Sequence, residues 1–358
     1  MVRVNRFVQS DRVADRLTAT LIKEELLPAY RQSLDSIRAE VGLLYEKHAK
    51  DGVLSMSDVT QYNRLKNTEK RIAAEMGRLQ DKQVRTTSKT IKGVYEESFY
   101  RTAYAIEFEA QAKLRFGELP SKQVDAAIVN PMDRIGWKDR TLEGARLATR
   151  QVREEIAQGI IQGKGYPEVA REVKDRMGMA AYRAERIVRT EAHRAREMGK
   201  LASLEHAAKE GVEMEKVWDA AMDQRTRDSH QGLDGQVVPV FDEDGNPGIF
   251  ISPVTGATAE YPGGFGVAEE DINCRCAAAG QIMGYGPEVR RARLTEEEYQ
   301  EAKDEEAALA QQEGRPPRPI PRGKVVPYQT YPQYADAKGW PRRYKGPEPR
   351  AVGPIEKE

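Results

Sequence analysis

The segment Lys209-Glu-Gly-Val-Glu-Met-Glu-Lys-Val-Trp218 separates two kinds of sequence. On its N-terminal side, apolar residues recur mostly at helical spacing, and Gly211 is the kind of residue that closes a helix. On its C-terminal side, residues 214–218 alternate apolar and polar side chains, which is typical of a strand. The sequence therefore predicts an α+β protein. Long N-terminal helices and a helical middle should precede a small α+β module with short strands.

Residues 1–116 are expected to form a hairpin of two long helices. An apolar stripe with charged flanks extends over residues 13–45, as in a helix that packs along one narrow face. Pro28 is expected to kink or break this first helix, because proline lacks the N–H that a helix interior needs. Ser57 is a plausible N-cap for the second helix. The pattern predicts a structural element without chemistry of its own.

Residues 117–179 are expected to be a helical connector, and residues 180–280 a small α+β module. Two strand candidates in this module, 237–241 and 248–251, flank a turn at 242–247 that is rich in Asp, Gly, Asn and Pro. Such a turn between two apolar runs predicts a β-hairpin.

Residues 281–358 are expected to form one acidic helix, at 294–311, followed by an extended arm. Eleven of the 19 prolines follow Gly286, and the sequence from Gly314 onward lacks the apolar density that a core needs. A tail without a role is one interpretation. Docking on a partner is the other, and it is favoured by five aromatic residues that would be costly to leave in water: Tyr328, Tyr331, Tyr334, Trp340 and Tyr344.

Composition excludes several classes of protein. Lys plus Arg equals Asp plus Glu at 57 each, so a globally basic protein that coats nucleic acid is not indicated. The two cysteines, Cys274 and Cys276, cannot supply a disulfide framework, which indicates synthesis in a reducing cytoplasm. Residues 1–10 have no apolar signal-peptide core, and no uncharged run approaches the roughly 20 residues of a membrane helix. No membrane partner is expected.

Residues 183–200 form the first charged cluster, with six basic and three acidic side chains, Arg189 and Glu191 among them. Many of these side chains are three or four residues apart, which favours a helix surface crossed by ion pairs. The alternative is a basic face that contacts DNA phosphates without reading bases.

Residues 218–235 contain a second cluster that mixes acids, guanidinium groups and an imidazole. Their density favours an ion-pair network in which Arg forks grip carboxylates and hold a turn. A metal or catalytic site is the alternative interpretation. The residues concerned are Trp218, Asp223, Arg225, Arg227, Asp228, His230 and Gly235.

A zinc site is the third candidate. Two thiolates, from Cys274 and Cys276, and the imidazole of His230 are ligands that Zn²⁺ accepts. A fourth ligand would come from another side chain, with Asp223, Asp228 and His193 as candidates. The alternative is that the reduced cysteines pack as small apolar groups.

Taken in order, these motifs resemble the Mu F-like head morphogenesis family, which includes the minor head proteins of several phages. The resemblance covers about a third of the chain, and the order of the motifs makes it more specific than any one of them. The matching residues are Arg186-Ile-Val-Arg-Thr-Glu191, Trp218, Asp223, Arg225-Thr-Arg-Asp-Ser-His230, Gly232-Leu-Asp-Gly-Gln236 and Asn273-Cys-Arg-Cys276.

The resemblance implies a virion protein rather than an enzyme. It would act in head morphogenesis, in association with the portal protein and the packaged DNA inside the head, after assembly in the host cytoplasm. Major capsid or scaffold protein, and double-stranded DNA bound without sequence specificity, are further partners that the resemblance suggests.

Two other functions stay open at this point. One is a metal-dependent nuclease with His230 as the base and Arg residues that grip phosphate. The other is a DNA-binding virion protein that uses the helix at 183–200, with steeply salt-dependent affinity.

Overall fold

The protein is α+β, as predicted. The computed structural model describes residues 6–117, 119, 121–129, 135–282, 289–320, 323–327, 333 and 336–337. The chain divides into two compact units. The helical unit comprises Val13–Glu96 and Leu119–Arg196, and the mixed unit comprises Met1–Arg12, Glu97–Glu118 and Glu197–Glu358. The four-part division expected from composition, at 1–116, 117–179, 180–280 and 281–358, stays a prediction.

Helices make up most of the described residues. The α-helices are α1 (Arg6–Leu21), α2 (Leu27–His48), α3 (Met56–Thr60), α4 (Arg64–Ala110), α5 (Ser121–Val129), α6 (Trp137–Ile161), α7 (Tyr166–Lys209), α8 (Asp228–Leu233), α9 (Ala268–Asp271) and α10 (Glu296–Glu313). The strands are β1 (Met214–Asp219), β2 (Val237–Pro239), β3 (Phe250–Ile251), β4 (Thr258–Ala259), β5 (Ala277–Ile282), β6 (Val289–Arg293) and β7 (Gly323–Pro327). Among the described residues, no helix is both long and apolar enough to cross a membrane.

Two sequence-based expectations about the N-terminal helices have different outcomes. Near Pro28, where a kink or break was expected, the regular α-helix is interrupted: a π-helical turn at Ile22–Leu26 precedes α2, and Pro28 lies in the first turn of α2. The wider π turn is a local adjustment that a helix can make where the regular hydrogen-bond ladder is interrupted. Ser57 is not the N-cap: Ser55 caps α3 by accepting a hydrogen bond from Asp58 N.

The helical unit has an apolar core. Side chains four residues apart, such as Val152, Ile156 and Ile160 on α6, form a buried stripe that packs with the stripes of α2, α4 and α7. The Tyr45 hydroxyl donates to the Lys164 carbonyl at 2.9 Å, which joins the end of α2 to the loop before α7.

The mixed unit contains a three-stranded antiparallel sheet in the order β2-β1-β5. The sheet packs on the last turns of α7 so closely that a Cβ at Gly280 would lie 2.4 Å from Leu204 Cδ2. Gly211, at φ +91°, follows the end of α7 and allows the turn into β1, as predicted. Strand β1 itself confirms the expectation for residues 214–218.

The predicted hairpin is present only as a turn. Asp242 N donates to Asn246 O, but the flanking residues pair through one bridge, Phe241 with Pro247. Among the described strands, no ladder joins the two segments: β2 pairs with β1, and β3 pairs with β4.

The C-terminal region is described in part. The expected acidic helix is α10, which begins with a Thr295–Glu298 capping box and ends at Gly314 in a left-handed conformation. Within the expected arm, β7 pairs antiparallel with β6. The five aromatic residues expected to dock the arm lie outside the described residues.

Gly159→Ala and Gly144→Ala form a matched pair, because both glycines lie in α6. A Cβ at Gly159 would lie 2.5 Å from Cγ2 of buried Val169 on α7, whereas one at Gly144 meets nothing within 4 Å. We expect Gly159→Ala to destabilise the protein by about 1–3 kcal/mol. Gly144→Ala should stabilise it by roughly 0.5–1 kcal/mol. Denaturant unfolding followed by circular dichroism measures both, and equal effects would contradict the close packing of α6 on α7.

Candidate functional site

The structure brings together His230 from α8 with Cys274 and Cys276, which precede β5. His230 Nδ1 lies 3.3 Å from Cys276 Sγ and 3.7 Å from Cys274 Sγ. One ligand atom from each residue lies within 4.8 Å of the others, and all three residues are buried. Both cysteines are free thiols. The three residues named as zinc ligands from the sequence are therefore neighbours.

The second ring nitrogen of His230 lies beside a carboxylate that the sequence did not single out. His230 Nε2 lies 3.1 Å from Glu270 Oε2, and the Glu270 side chain is fully buried. Three hydroxyl groups donate to the same carboxylate at 2.7 Å: Ser229 to Oε2, and Ser252 and Thr255 to Oε1. These contacts join α8, the loop after β3 and α9.

Backbone groups around Glu270 are held by two further charged side chains. The Arg227 guanidinium donates to the carbonyls of Glu270 and Ile272. The buried Asp271 carboxylate accepts from Phe265 N at 3.1 Å and Gly266 N at 2.8 Å. The loop that leads into the two cysteines is thereby held on both sides, which fixes where the thiols lie.

Aromatic side chains enclose the His230 ring. Trp218, fully buried on β1, meets His230 edge-on with ring centroids 5.4 Å apart. Phe265 stacks on His230 with ring centroids 6.1 Å apart and also contacts Trp218, at 5.7 Å. Cys274 and Cys276 belong to the same apolar cluster, together with Phe250. Water has little access to the cluster, so electrostatic interactions within it are strong.

The pKa values of these groups are shifted in opposite directions. Burial raises the pKa of Cys274 well above its ordinary value. Burial alone would also raise the pKa of Cys276, but Cys274 and His230 stabilise its thiolate and hold that pKa well below the ordinary value. Burial alone would lower the pKa of His230, but Cys276 and Glu270 raise it to about 9.

The pKa of Glu270 is lowered to about 2. Burial alone would raise it, but His230, Thr255, Ser229 and Ser252 stabilise the carboxylate. The cluster therefore combines an ionised carboxylate, an imidazole ring and two thiol groups of unequal acidity.

An arginine binds a carboxylate through two hydrogen bonds, as predicted, but the arginine is Arg275. Both oxygens of Asp223 accept from the Arg275 guanidinium, with Nη2 to Oδ1 at 2.7 Å. Arg227 grips backbone carbonyls instead, and Arg225 is exposed. Because Arg275 binds both oxygens of Asp223, this carboxylate is poorly suited to be a fourth metal ligand.

The remaining predicted residues of this region have backbone roles or positions at helix ends. Asp228 begins α8. Gly235 has φ +80° and donates its N–H to Trp218 O at 2.8 Å, a conformation that favours glycine.

Many of the charged residues predicted on α7 are buried, and their ion-pair partners lie in the same unit. In the helical unit, buried Glu191 pairs with Arg140 and, at 3.5 Å, with Arg194. Arg189 is exposed and pairs with Glu185 one turn earlier. His193, the third candidate for a fourth zinc ligand, accepts from Arg196 at its Nδ1.

In the mixed unit, the last turns of α7 carry a buried ion-pair cluster. Lys200 Nζ lies 3.2 Å from Asp11 Oδ1 and 3.3 Å from Glu197 Oε2. The same Glu197 oxygen accepts from Ala278 N on β5 at 2.9 Å. These charges hold α7 against the sheet.

Lys216 on β1 is a buried cation that the sequence analysis missed. Its Nζ donates to the carbonyls of Gly248 at 2.7 Å and Glu260 at 3.0 Å. Burial lowers its pKa to about 8, although the charges of Glu260 and Glu205 oppose the shift. Lys216 therefore ties β1 to the loops that enclose the cluster around His230.

The comparisons with known proteins identify the family. The family model described as Phage Mu protein F like protein matches residues 150–279, which include α8, the Glu270 network and both cysteines. The minor head protein GP7 of Bacillus phage SPP1 is 32% identical over 293 residues, which cover 82% of this chain and 88% of that protein. The chain belongs to the Mu F-like minor head protein family. This membership gives it a part in phage head morphogenesis.

A second relative carries an enzyme's name. It is the NAD(+)--arginine ADP-ribosyltransferase EFV of Enterococcus faecalis, 28% identical over 305 residues, which cover 81% of this chain and 58% of that protein. A large part of that protein therefore has no counterpart in this alignment. No solved structure matches the chain.

Glu270→Gln tests the importance of the buried carboxylate, with Glu269→Gln as the control. The two residues are adjacent on α9, but Glu269 is exposed and Glu270 is fully buried. We expect Glu270→Gln to destabilise the protein by roughly 2–4 kcal/mol, because a buried network loses its charge and one acceptor. Glu269→Gln should change stability by less than about 0.5 kcal/mol. Urea unfolding of both variants measures the difference, and similar midpoints would contradict the role assigned to Glu270.

Proposed function

We propose that this member of the minor head protein family associates with the portal protein and resides inside the phage head, close to the packaged DNA, without acting as an enzyme. The similarity to minor head protein GP7 carries the proposal, because it covers 88% of that protein rather than one shared module. It extends over both the helices and the α+β region, as expected if the two proteins play the same part in the particle.

The burial of the polar residues supports a structural role over nuclease activity. A hydrolytic metal site needs an open coordination position and a base that substrate can approach. His230 is 1% exposed and is enclosed by Trp218 and Phe265. The Arg227 guanidinium, which a nuclease would use to grip phosphate, is occupied by two backbone carbonyls.

The charge distribution of α7 speaks against DNA binding by that helix. Phosphate contacts need exposed Lys or Arg side chains. Three of the six basic residues at 183–200 are buried, namely Arg194, Arg196 and Lys200. Each pairs with a carboxylate, so these three side chains are not available to phosphate. Proximity to packaged DNA would then follow from location in the head, without tight binding to duplex.

Co-expression with the portal protein of the same phage tests the proposal. We expect this chain to co-elute with portal protein on size exclusion at physiological salt. A second preparation ending at Pro327 retains the pairing of β6 with β7 and removes the aromatic residues from Tyr328 onward. If the arm docks on the portal, this shorter chain should keep its circular dichroism spectrum and lose most of the co-elution.

The alternatives give different results. Elution of the full chain as a separate peak at every ratio would contradict portal association. Tight duplex binding with steep salt dependence, or cleavage of DNA by the purified chain, would contradict the structural role.

A further inference from the structure

The geometry points to a structural zinc site formed by His230, Cys274 and Cys276, with one ion per chain. This inference goes beyond the proposed function and does not depend on it. It rests on the positions of three side chains, on their burial and on the second partner of the histidine.

The separations of the ligand atoms match those around a tetrahedral zinc ion. Zinc binds sulfur at about 2.3 Å and histidine nitrogen at about 2.0–2.1 Å, so these two ligand atoms stand roughly 3.6 Å apart. The two observed distances from His230 Nδ1 to the sulfurs, 3.3 and 3.7 Å, bracket that value. An ion could therefore enter with only small movements of the side chains.

Both sulfurs converge on one nitrogen, as the ligands of a single cation do. Nδ1 of an imidazole makes only one hydrogen bond, so without a metal ion it pairs with just one of the two sulfurs. In a metal site all three atoms become ligands of the same centre. Thiolate sulfur and imidazole nitrogen together favour Zn²⁺ over Mg²⁺ or Ca²⁺.

The remaining nitrogen of His230 has the partner that metal-bound histidines usually have. Nε2 faces the Glu270 carboxylate at 3.1 Å, an arrangement in which the carboxylate orients the ring and strengthens the nitrogen as a ligand. Glu270 is itself fixed by Ser229, Ser252 and Thr255. The ring is thus held with Nδ1 directed at the two sulfurs.

A catalytic thiol is the competing interpretation of Cys276, His230 and Glu270. A nucleophile must be reachable by substrate, yet Cys276 is 1% exposed and Cys274 is 5% exposed. The surrounding side chains are apolar and aromatic, with Trp218, Phe250 and Phe265 in the same cluster. Such buried surroundings suit a structural metal site that joins α8 to the start of β5.

The described part of the chain offers no fourth His, Cys, Asp or Glu within this group. Of the three candidates named from the sequence, Asp223 is held by Arg275, and His193 accepts from Arg196 in the helical unit. The described residues therefore supply three ligands, and none of the three candidates, Asp228 included, is placed to be the fourth.

The first test is made on the full chain, purified under reducing conditions without chelators. We expect about one zinc per chain by elemental mass spectrometry, and replacement by Co²⁺ should produce thiolate-to-cobalt charge-transfer absorption. Because the chain has no cysteine besides Cys274 and Cys276, such absorption assigns them as ligands. A folded, reduced chain that takes up neither ion would overturn the inference. Zinc bound without thiolate absorption of the cobalt form would do so too.

The second test compares His230→Ala with His48→Ala, the same chemical change at a histidine of α2. We expect His48→Ala to bind zinc as the unchanged chain does, and His230→Ala to lose about tenfold or more in affinity in a chelator competition. Unchanged affinity in a folded His230→Ala chain would overturn the three-residue site. Where His230→Ala does not fold, cobalt absorption of the unchanged chain still decides the question.

Discussion

The buried carboxylate of Glu270 is the constraint on which the mixed unit's α+β region depends. An ionised carboxylate out of water costs several kcal/mol unless its oxygens are fully compensated. Here the compensation comes from Ser229, Ser252 and Thr255 and from the His230 ring. These residues come from two segments and Glu270 from a third, so satisfying one charge brings together α8, the loop after β3 and α9. A region with very short strands has few ladder hydrogen bonds, and this network replaces part of what a larger sheet would supply.

Other side chains around the Glu270 carboxylate also hold these loops in place. Arg227 holds two carbonyls next to Glu270, and the Arg275 fork holds Asp223. Lys216 reaches two carbonyls from β1. These side chains hold the loops and β1 of this region in place. Such an arrangement suits a component that must keep its shape during head assembly.

Much of the architecture could be predicted from periodicity and turn chemistry. Strand β1 and helix α10 were predicted from apolar alternation and from acidic helical spacing. Strand β5 was missed because Ala277–Ile282 consists largely of small residues without a clear alternation. The 237–251 hairpin was overestimated because the turn residues at 242–247 reverse the chain but do not determine how far the flanking residues pair. Ser55 and Ser57 have the same side chain and lie two residues apart, so the sequence does not show which of them caps α3.

The cluster around His230 was predictable in part. The residue types at His230, Cys274 and Cys276 suggested a metal site, although 44 residues separate the imidazole from the first thiol in the chain. Glu270 was missed because it stands between two other acids, Glu269 and Asp271, and the sequence does not distinguish an exposed acid from a buried one. Likewise, the ion pairs of buried Arg196 with Asp15 and of buried Lys200 with Asp11 join residues far apart in the sequence, which helical spacing does not reveal.

As a member of the minor head protein family, this chain is a component of the phage head. The most direct measurement is the protein composition of heads purified on density gradients before and after DNA packaging, by quantitative mass spectrometry. We predict that the chain is present in heads of both kinds, at a constant low ratio to the portal protein. Heads that are complete, filled with DNA and free of this chain would contradict it.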